Sequence, residues 1–282
     1  MFFHDKRLQY HATPDRPDPI FARRLQEVLG GQWGEISVMM TYLFQGWNAR
    51  GPAKYKDMLL DIGTEEMAHV EMLSTMIARL LEGAPLEAQA SAVDSNPAVA
   101  AIMGGINPQH AIVSGLGAQV ADSVGVPWNG RYAVASGNML ADFRYNVTAE
   151  SQGRLQVCRL YEMTEDAGVR DMLSFLIARD TMHQNQWLAA IAELEADGLD
   201  MTPAPNSFPQ EREFSQVAYQ FQDLSEGEDS AQGRWASGPS MDGKGEFSYV
   251  RPEPMGEAPE LPPADPRVFG TAKSPILQKV PS

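Results

Sequence analysis

Two amphipathic segments of the chain place an acidic residue and a histidine where a buried helix face should carry apolar side chains. Glu66 and His69 interrupt the first apolar stripe, and Asp180 and His183 interrupt the second. The other members of the stripes are apolar: Leu59, Ile62, Leu73, Met76 and Leu80 in the first, and Leu173, Leu176, Trp187, Ala190 and Leu194 in the second. Spacings of three and four residues turn one helix face toward a bundle core. Because a buried carboxylate or imidazole is costly without a partner, these positions point to a metal ion.

Composition narrows the class of protein. The chain has 282 residues, 43% of them hydrophobic, which is enough for one large domain with its own core or for two small ones. A net charge of −15 argues against a nucleic-acid partner, which would need a basic surface. The single cysteine, Cys158, excludes an internal disulfide. Since the N-terminus lacks a signal-like apolar stretch and no apolar run is long enough to span a bilayer, we expect a soluble cytoplasmic protein without a membrane partner.

Apolar periodicity predicts four long helices in two hairpins, which is the all-α arrangement of a four-helix bundle. The predicted helices run from about Pro19 to Asn48, from Pro52 to near Gly83, from after Gly137 to a break at Ala167 and Gly168, and from there to Gly198. The segment of roughly 55 residues between the hairpins is the long crossover that a ferritin-like bundle requires.

The composition changes after Asp200, because 12 of the 20 prolines follow it and helical periodicity ends. We therefore predict a ferritin-like catalytic bundle domain over residues 1–200 and a Pro-rich C-terminal region over residues 201–282. That region is either disordered or an extended arm that packs on the body or on neighbouring subunits. Its aromatic side chains favour the extended arm: Trp235, Phe247, Tyr249 and Phe269.

The hairpins allow the candidate ligands to be placed along the bundle axis. Glu35 and Glu66 lie 16 and 15 residues from the first predicted turn, and Glu150 and His183 lie 18 and 15 residues from the second. At about 1.5 Å of rise per residue, both members of each pair reach nearly the same level. The four helices are therefore expected to bring five polar side chains to one layer: Glu35, Glu66, His69, Glu150 and His183.

Three carboxylates and two imidazoles suit a pair of divalent ions. The absence of a thiolate disfavours zinc-finger-like and iron–sulfur chemistry and favours manganese or iron. Bundles of this kind hold the dinuclear sites of di-iron and di-manganese carboxylate proteins.

The residues around this set leave alternatives open. Glu65, one turn before His69, is the alternative to Glu66, although the core register favours Glu66. Asp180 either contacts a metal, orients His183 or hydrogen-bonds a bound water. Tyr42, two turns from Glu35 on the same face, is placed for a phenol–carboxylate hydrogen bond, or is a core tyrosine with another partner.

With these residues in hand, the chain resembles the manganese catalases, the non-haem dinuclear family. The resemblance covers most of the chain and rests on long matched strings: Gly34-Glu35, Glu65-Glu66-Met67-Ala68-His69, Asn107-Pro108-Gln109-His110, Gly125-Val126-Pro127-Trp128-Asn129-Gly130, Asn146-Val147-Thr148-Ala149-Glu150-Ser151, and the run from Ile177 through Asp180 and His183 to Trp187.

The resemblance implies a ferritin-like four-helix bundle that holds two manganese ions, assembles as a homohexamer and disproportionates hydrogen peroxide to water and dioxygen. It also implies that Glu66 bridges the two ions, with Glu35 and His69 on one ion and Glu150 and His183 on the other. Some members of the family carry structural calcium, and a similar set of oxygen ligands occurs here: Asp57, Asp61, Asp223, Ser225 and Gly227. A solvated acidic helix face is the alternative reading of Asp57 and Asp61.

One position departs from the family pattern. Some members have a basic residue immediately before the third-helix glutamate, paired with the acid at the position of Asp180, whereas this chain has Ala149. Asp180 must therefore find another partner, or the access channel is wider. We expect weaker discrimination against small anions such as azide.

Two other functions use the same ligand types. A ferroxidase or iron-storing bundle is the main alternative, and it is disfavoured by the long inter-hairpin segment and the Pro-rich arm. A di-iron oxygenase or oxidase is the other, because ligand types alone do not distinguish it. A non-enzymatic helical scaffold would require both core acid–histidine pairs to be accidental.

Overall fold

The computed structural model describes residues 4–82, 107–209, 212–214 and 216–262. The chain divides into two compact units, Met1–Phe208 and Pro209–Ser282. The first unit contains six α-helices among its described residues: α1 (Pro19–Gly30), α2 (Glu35–Asn48), α3 (Ala53–Leu80), the short α4 (Pro108–Ile112), α5 (Met139–Glu162) and α6 (Ala167–Ala196). Helices α2 and α3 pack as one hairpin and α5 and α6 as the other, while α1 packs on α3. The bundle agrees with the predicted all-α class.

Side-chain caps fix where three of these helices begin. Asp18 accepts from the N–H groups of the first turn of α1, where Pro19 needs no hydrogen bond. Asn138 caps α5 by accepting from the N–H of Ala141. Asp166 caps α6 and also accepts from the N–H of Asp15, so this cap ties the N-terminal segment to the helix.

The predicted continuous helix from Pro19 to Asn48 is wrong, because α1 ends at Gly30 and α2 begins at Glu35. Two glycines near the break allow close backbone contacts. A Cβ on Gly30 would lie 2.3 Å from the carbonyl oxygen of Ala121, and one on Gly34 would lie 2.9 Å from that of Leu29. Glu35 therefore occupies the first turn of its own helix instead of the middle of a longer one.

The predicted break at Ala167 and Gly168 is also misplaced. Helix α5 ends at Glu162, and both residues lie in the first turn of α6. A Cβ on Gly168 would lie 1.9 Å from the carbonyl oxygen of Thr13. This glycine lets the N-terminal segment pass close to the helix and does not end one. Helix α3 ends at Leu80, and Gly83 lies outside the described residues.

The candidate ligands form a polar layer between two apolar clusters of the bundle. On α3, Met72, Leu73 and Met76 belong to one cluster, and Leu59 and Ile62 belong to the other. The same division holds on α6, with Leu173 and Leu176 on one side and Trp187 and Leu194 on the other. Glu66 and His69, and Asp180 and His183, lie between them in sequence, so apolar packing on both sides fixes the polar layer.

The second unit carries a small sheet that helical periodicity did not predict. Strands β1 (Gln220–Gln222), β2 (Gly238–Pro239) and β3 (Glu246–Val250) have the order β1-β3-β2, parallel between β1 and β3 and antiparallel between β2 and β3. Phe221 and Tyr249 stack across the parallel pair at 5.2 Å between ring centroids. Phe269, which was named with the aromatic residues that favour an extended arm, lies outside the described residues. No helix in the described part of the chain is long and apolar enough to cross a membrane.

Candidate dinuclear metal centre

The structure brings all five predicted ligands together as two groups of buried side chains that share Glu66. One group is Glu35, Glu66 and His69, and the other is Glu66, Glu150 and His183. Within each group, one potential ligand atom per residue lies within 4.8 Å of the others. A shared carboxylate between two such groups is the arrangement that a pair of metal ions requires.

Both histidines turn Nδ1 toward the interior carboxylates. Nδ1 of His69 lies 2.7 Å from Oε2 of Glu66 and 3.6 Å from Oε2 of Glu35. Nδ1 of His183 lies 2.9 Å from Oε1 of Glu66 and 3.6 Å from Oε1 of Glu150. The imidazole rings face one another with centroids 5.8 Å apart. Each histidine therefore belongs to one group, and each uses a different oxygen of Glu66.

Glu150 is held by a hydrogen bond across the bundle. The hydroxyl of Tyr42 on α2 donates to Oε1 of Glu150 on α5 at 2.6 Å, and both residues are buried. The phenol–carboxylate hydrogen bond predicted for Tyr42 is thus present. Its acceptor is Glu150, and not Glu35 on the same helix as Tyr42. Burial raises the pKa of Tyr42 well above its usual value, and Glu150 and Glu66 raise it further. Tyr42 is therefore a donor to Glu150 at neutral pH.

The carboxylates of the layer differ in their preferred protonation. Burial followed by the charge of Glu66 raises the pKa of Glu35 to about 8. Burial and Glu66 likewise raise the pKa of Glu150 well above its ordinary value. Burial also acts to raise the pKa of Glu66, but His69 and His183 outweigh it and hold that pKa well below its usual range. Positive charge between the groups thus stabilises Glu66 as the shared anion.

The two imidazoles show the converse behaviour. Burial acts to lower the pKa of His183, but Glu66 and Glu65 raise it to about 11. The pKa of His69 is raised well above its ordinary value against the same effect of burial, first by Glu66 and then by Glu35. The cluster as a whole attracts positive charge, whether from protons or from metal ions.

Asp180 is buried at the edge of this layer but belongs to neither group. Burial raises the pKa of Asp180 well above its usual value, and the charges of Glu35 and Glu66 raise it further. The protonated form of Asp180 is therefore favoured more strongly than in an exposed aspartate. Ala149 is only 1% exposed and packs in the cluster that contains Trp187, so its methyl group lies inside the bundle.

Glu65 has a different place from Glu66, and sequence reasoning considered it only as a rival ligand. Its carboxylate lies on the outer side of the histidines, with Oε2 at 3.1 Å from Nε2 of His183. Arg179 on α6 donates to both oxygens of Glu65, at 2.6 and 3.2 Å, and Gln9 donates to Oε1 at 2.8 Å. Burial acts to raise the pKa of Glu65, but these donors and both imidazoles hold it well below its usual range. In the sequence, the spacing of one turn from Glu65 to His69 was the feature that could have indicated this role.

The predicted calcium ligands lie in two separate parts of the chain. Asp57 and Asp61 lie one turn apart on the exposed face of α3. In the second unit, Asp223 follows β1 and its Oδ2 accepts from Arg251 at 3.0 Å. Ser225 and Gly227 follow in the turn after it, and Gly227 has a φ of +102°.

Comparisons with known proteins identify relatives of the whole chain. The sequence profile of the family described as manganese containing catalase matches residues 1–280. The uncharacterized protein YjqC of Bacillus subtilis (strain 168) is 62% identical over 265 residues, which are 94% of this chain and 95% of that protein. A manganese catalase of Bacillus subtilis is 60% identical over 272 residues, 96% of this chain and 98% of its own length.

A solved structure extends these similarities to the fold. The crystal structure of KatB, a manganese catalase from Anabaena, superposes with a TM-score of 0.69 at 28% identity. The match covers 89% of this chain and 100% of that one.

Proposed function

Because the chain belongs to the manganese-containing catalase family and is a hydrogen-peroxide oxidoreductase, we propose that Glu35, Glu66, His69, Glu150 and His183 hold its two manganese ions. The observation that carries this proposal is the pair of buried groups that share Glu66. The family and its named relatives do not favour the di-iron alternative of a ferroxidase or oxidase.

The potential ligand atoms are arranged better for binding metal ions than for hydrogen-bonding to one another. Oε1 of Glu66 and Nδ1 of His183 are 2.9 Å apart, yet neither has a hydrogen-bond partner among the described residues. Buried polar atoms without partners are rare and costly, and a metal ion would satisfy both. Carboxylate oxygens and imidazole nitrogens without a thiolate are the ligands that manganese accepts.

The bound manganese pair supplies the reversible two-electron redox chemistry by which one peroxide is reduced to water and a second is oxidised to dioxygen. The residues of the protein would bind these ions and hold the ligands in position. Glu66 offers one oxygen to each group, and each histidine offers Nδ1. Tyr42 fixes Glu150 by its hydrogen bond. Apolar clusters lie on both sides of the layer, and the five ligand side chains are buried.

The remaining assignments come from the sequence or from the family resemblance and are also proposals. We propose that residues 1–200 form the catalytic bundle, and that residues 201–282 form an arm that contacts neighbouring subunits of a homohexamer. We further propose a cytoplasmic location and one structural calcium ion. Calcium would be supported by its retention in protein purified without added calcium, and by a loss of thermal stability in a calcium-selective chelator.

The decisive experiment combines elemental analysis with oxygen evolution from added peroxide on one sample. We expect about two manganese ions per chain and rapid oxygen release, as the two ligand groups require. Both should be lost in His69→Ala and in Glu66→Ala. Two irons with little oxygen release, but with oxidation of Fe(II), would contradict the manganese assignment and move the function to the di-iron class.

A further inference from the structure

The outer nitrogens of the two candidate ligand histidines face a single carboxylate. Nε2 of His183 lies 3.1 Å from Oε2 of Glu65, within hydrogen-bond distance. Nε2 of His69 lies 3.8 Å from Oε1 of the same residue, which is beyond it. Glu65 therefore hydrogen-bonds one histidine and only attracts the other. This asymmetry distinguishes the two metal positions.

The carboxylate of Glu65 is itself fixed in orientation. Arg179 donates through Nε to Oε1 and through Nη2 to Oε2, and this two-bond contact sets the plane of the carboxylate. Gln9, from the segment before α1, adds a third bond to Oε1. Oε2 is thereby aimed at His183. The side chain of Glu65 is 19% exposed, whereas both imidazoles are fully buried.

Glu65 lies in a shallow surface depression above the buried site, which it shares with Gln9, Thr64, Ala68, Phe175 and Arg179. A hydrogen bond from Nε2–H to a carboxylate fixes the tautomer of an imidazole and leaves the lone pair on Nδ1. In His183 that lone pair faces Glu66 and Glu150. Glu65 thus acts on the metal site from outside it.

We propose that Glu65, clamped by Arg179, is a positioning residue that controls how firmly the Glu66–Glu150–His183 position holds its metal ion. The Glu35–Glu66–His69 position depends on Glu65 less, because His69 makes no hydrogen bond to it. This inference rests on the proposed ligand set. It adds that the two positions lose metal unequally when the outer carboxylate is changed.

The experiment follows manganese retention in the purified enzyme during dialysis against EDTA. In Glu65→Gln, the amide cannot accept from both Arg179 and His183 as a carboxylate does. We expect one of the two ions per chain to be released about 10- to 100-fold faster than in the wild type, the usual effect of losing such an outer hydrogen bond. The second ion should leave at a rate closer to the wild-type rate, and oxygen evolution should fall with loss of the first.

Two further variants separate positioning from folding. Arg179→Met leaves the carboxylate but removes its clamp, and we expect a smaller acceleration of the same single ion. Glu71→Gln is the matched control, because Glu71 lies on the same helix and pairs with His4, which is no candidate ligand. This control should release both ions at wild-type rates. Helix content by circular dichroism should be equal in all variants.

Three results would overturn the inference. Glu65→Gln could retain both ions as the wild type does, or it could release both ions equally fast. Alternatively, the Glu71→Gln control could show the same single-ion loss. A wild type that holds no manganese would instead refute the proposed ligand set, and this inference would fall with it.

Discussion

Tyr42 and Tyr55 are both buried tyrosines of the bundle. Among the described residues, the hydroxyl of Tyr42 has a hydrogen-bond partner, Glu150, and that of Tyr55 has none. Removing one partner of a buried bond to a charged group costs roughly 1–3 kcal/mol, whereas removing an unpartnered hydroxyl costs little. We expect Tyr42→Phe to lower the thermal midpoint and weaken manganese retention, and Tyr55→Phe to leave both unchanged or raise stability. Differential scanning calorimetry and elemental analysis would measure this, and equal effects of the two variants would contradict it.

At this scale the candidate ligands could be predicted from the sequence, but the role of the residues that hydrogen-bond to them could not. Glu66 and His69 were recognisable because polar residues interrupt an apolar stripe at core positions. Glu65 carries no such signal, since a residue one turn from a histidine can be a ligand, a support or a surface acid. Only the contact with Arg179, which lies 114 positions later in the chain, distinguishes these possibilities.

His110 provides a pH-dependent contact at the scale of a structural element. It is 1% exposed on the short helix α4, and its Nε2 lies 3.3 Å from Oε1 of Gln26 on α1. Burial, with a contribution from the charge of Arg23, lowers the pKa of His110. The ordinary pKa of an unfolded histidine is about 6.5. The contribution of neutral His110 to stability is therefore complete above that pH and is lost as the pH falls through the lower folded pKa.

We therefore expect the inter-hairpin segment from residue 107 to residue 128 to open more readily at pH 5 than at pH 7. Amide hydrogen exchange, corrected for intrinsic rates, would measure that change locally, away from the metal-binding groups. In His110→Gln the pH dependence in this segment should be much weaker. An unchanged pH dependence in the variant would mean that another group is responsible.

Helix boundaries depended on contacts that a single sequence does not display. Apolar spacing predicts the long helices, but it is wrong at two glycines. It predicts a continuous helix through Gly30 and a break at Gly168. Both glycines are required because a distant backbone carbonyl approaches them, that of Ala121 or of Thr13. The strands of the second unit escaped prediction because they have two to five residues, too few for a period to appear.

Gly168→Ala tests this explanation. In a free helix, alanine is more favourable than glycine by about 1 kcal/mol. Here a Cβ would lie 1.9 Å from the carbonyl oxygen of Thr13, so we expect the substitution to lower the urea midpoint. Gly130→Ala is the control, because its Cβ would meet no atom of the described residues within 4 Å. A stabilising effect of Gly168→Ala would show that the N-terminal segment is not docked against α6.

At the scale of the whole molecule, burying a layer of acids makes stability depend on metal. Without metal, burial and Glu66 raise the pKa of Glu35 to about 8 and also raise that of Glu150, which reflects the cost of holding their negative charge inside the bundle. A ligand present at 100 times its Kd stabilises the folded state by about 2.7 kcal/mol. For a domain of this size that is roughly 5–10 °C in Tm.

We therefore expect stripping of manganese to lower Tm by at least that amount, and added manganese to restore it. Calorimetry of stripped and reloaded protein would measure the change. Glu35→Gln with Glu150→Gln should reduce the dependence on manganese, because fewer charges then need compensation. Restoration by calcium alone would contradict the assignment of this stabilisation to the buried layer.

Exposed apolar side chains of the second unit provide a test of the proposed homohexamer. Trp235 is 54% exposed, although its ring is held close against Gly233, where a Cβ would lie 2.1 Å from it. Leu224 and Met241 of the same unit are also exposed, at 77% and 67%. Large apolar side chains that are exposed and held in place are typical of subunit interfaces.

We expect light scattering to give about six times the chain mass of 31.0 kDa for the wild type. Trp235→Ser should shift the population to smaller species on dilution, while the exposed control Glu253→Ser should not. A wild type that is monomeric at all concentrations, or equal behaviour of both variants, would contradict an interface at Trp235.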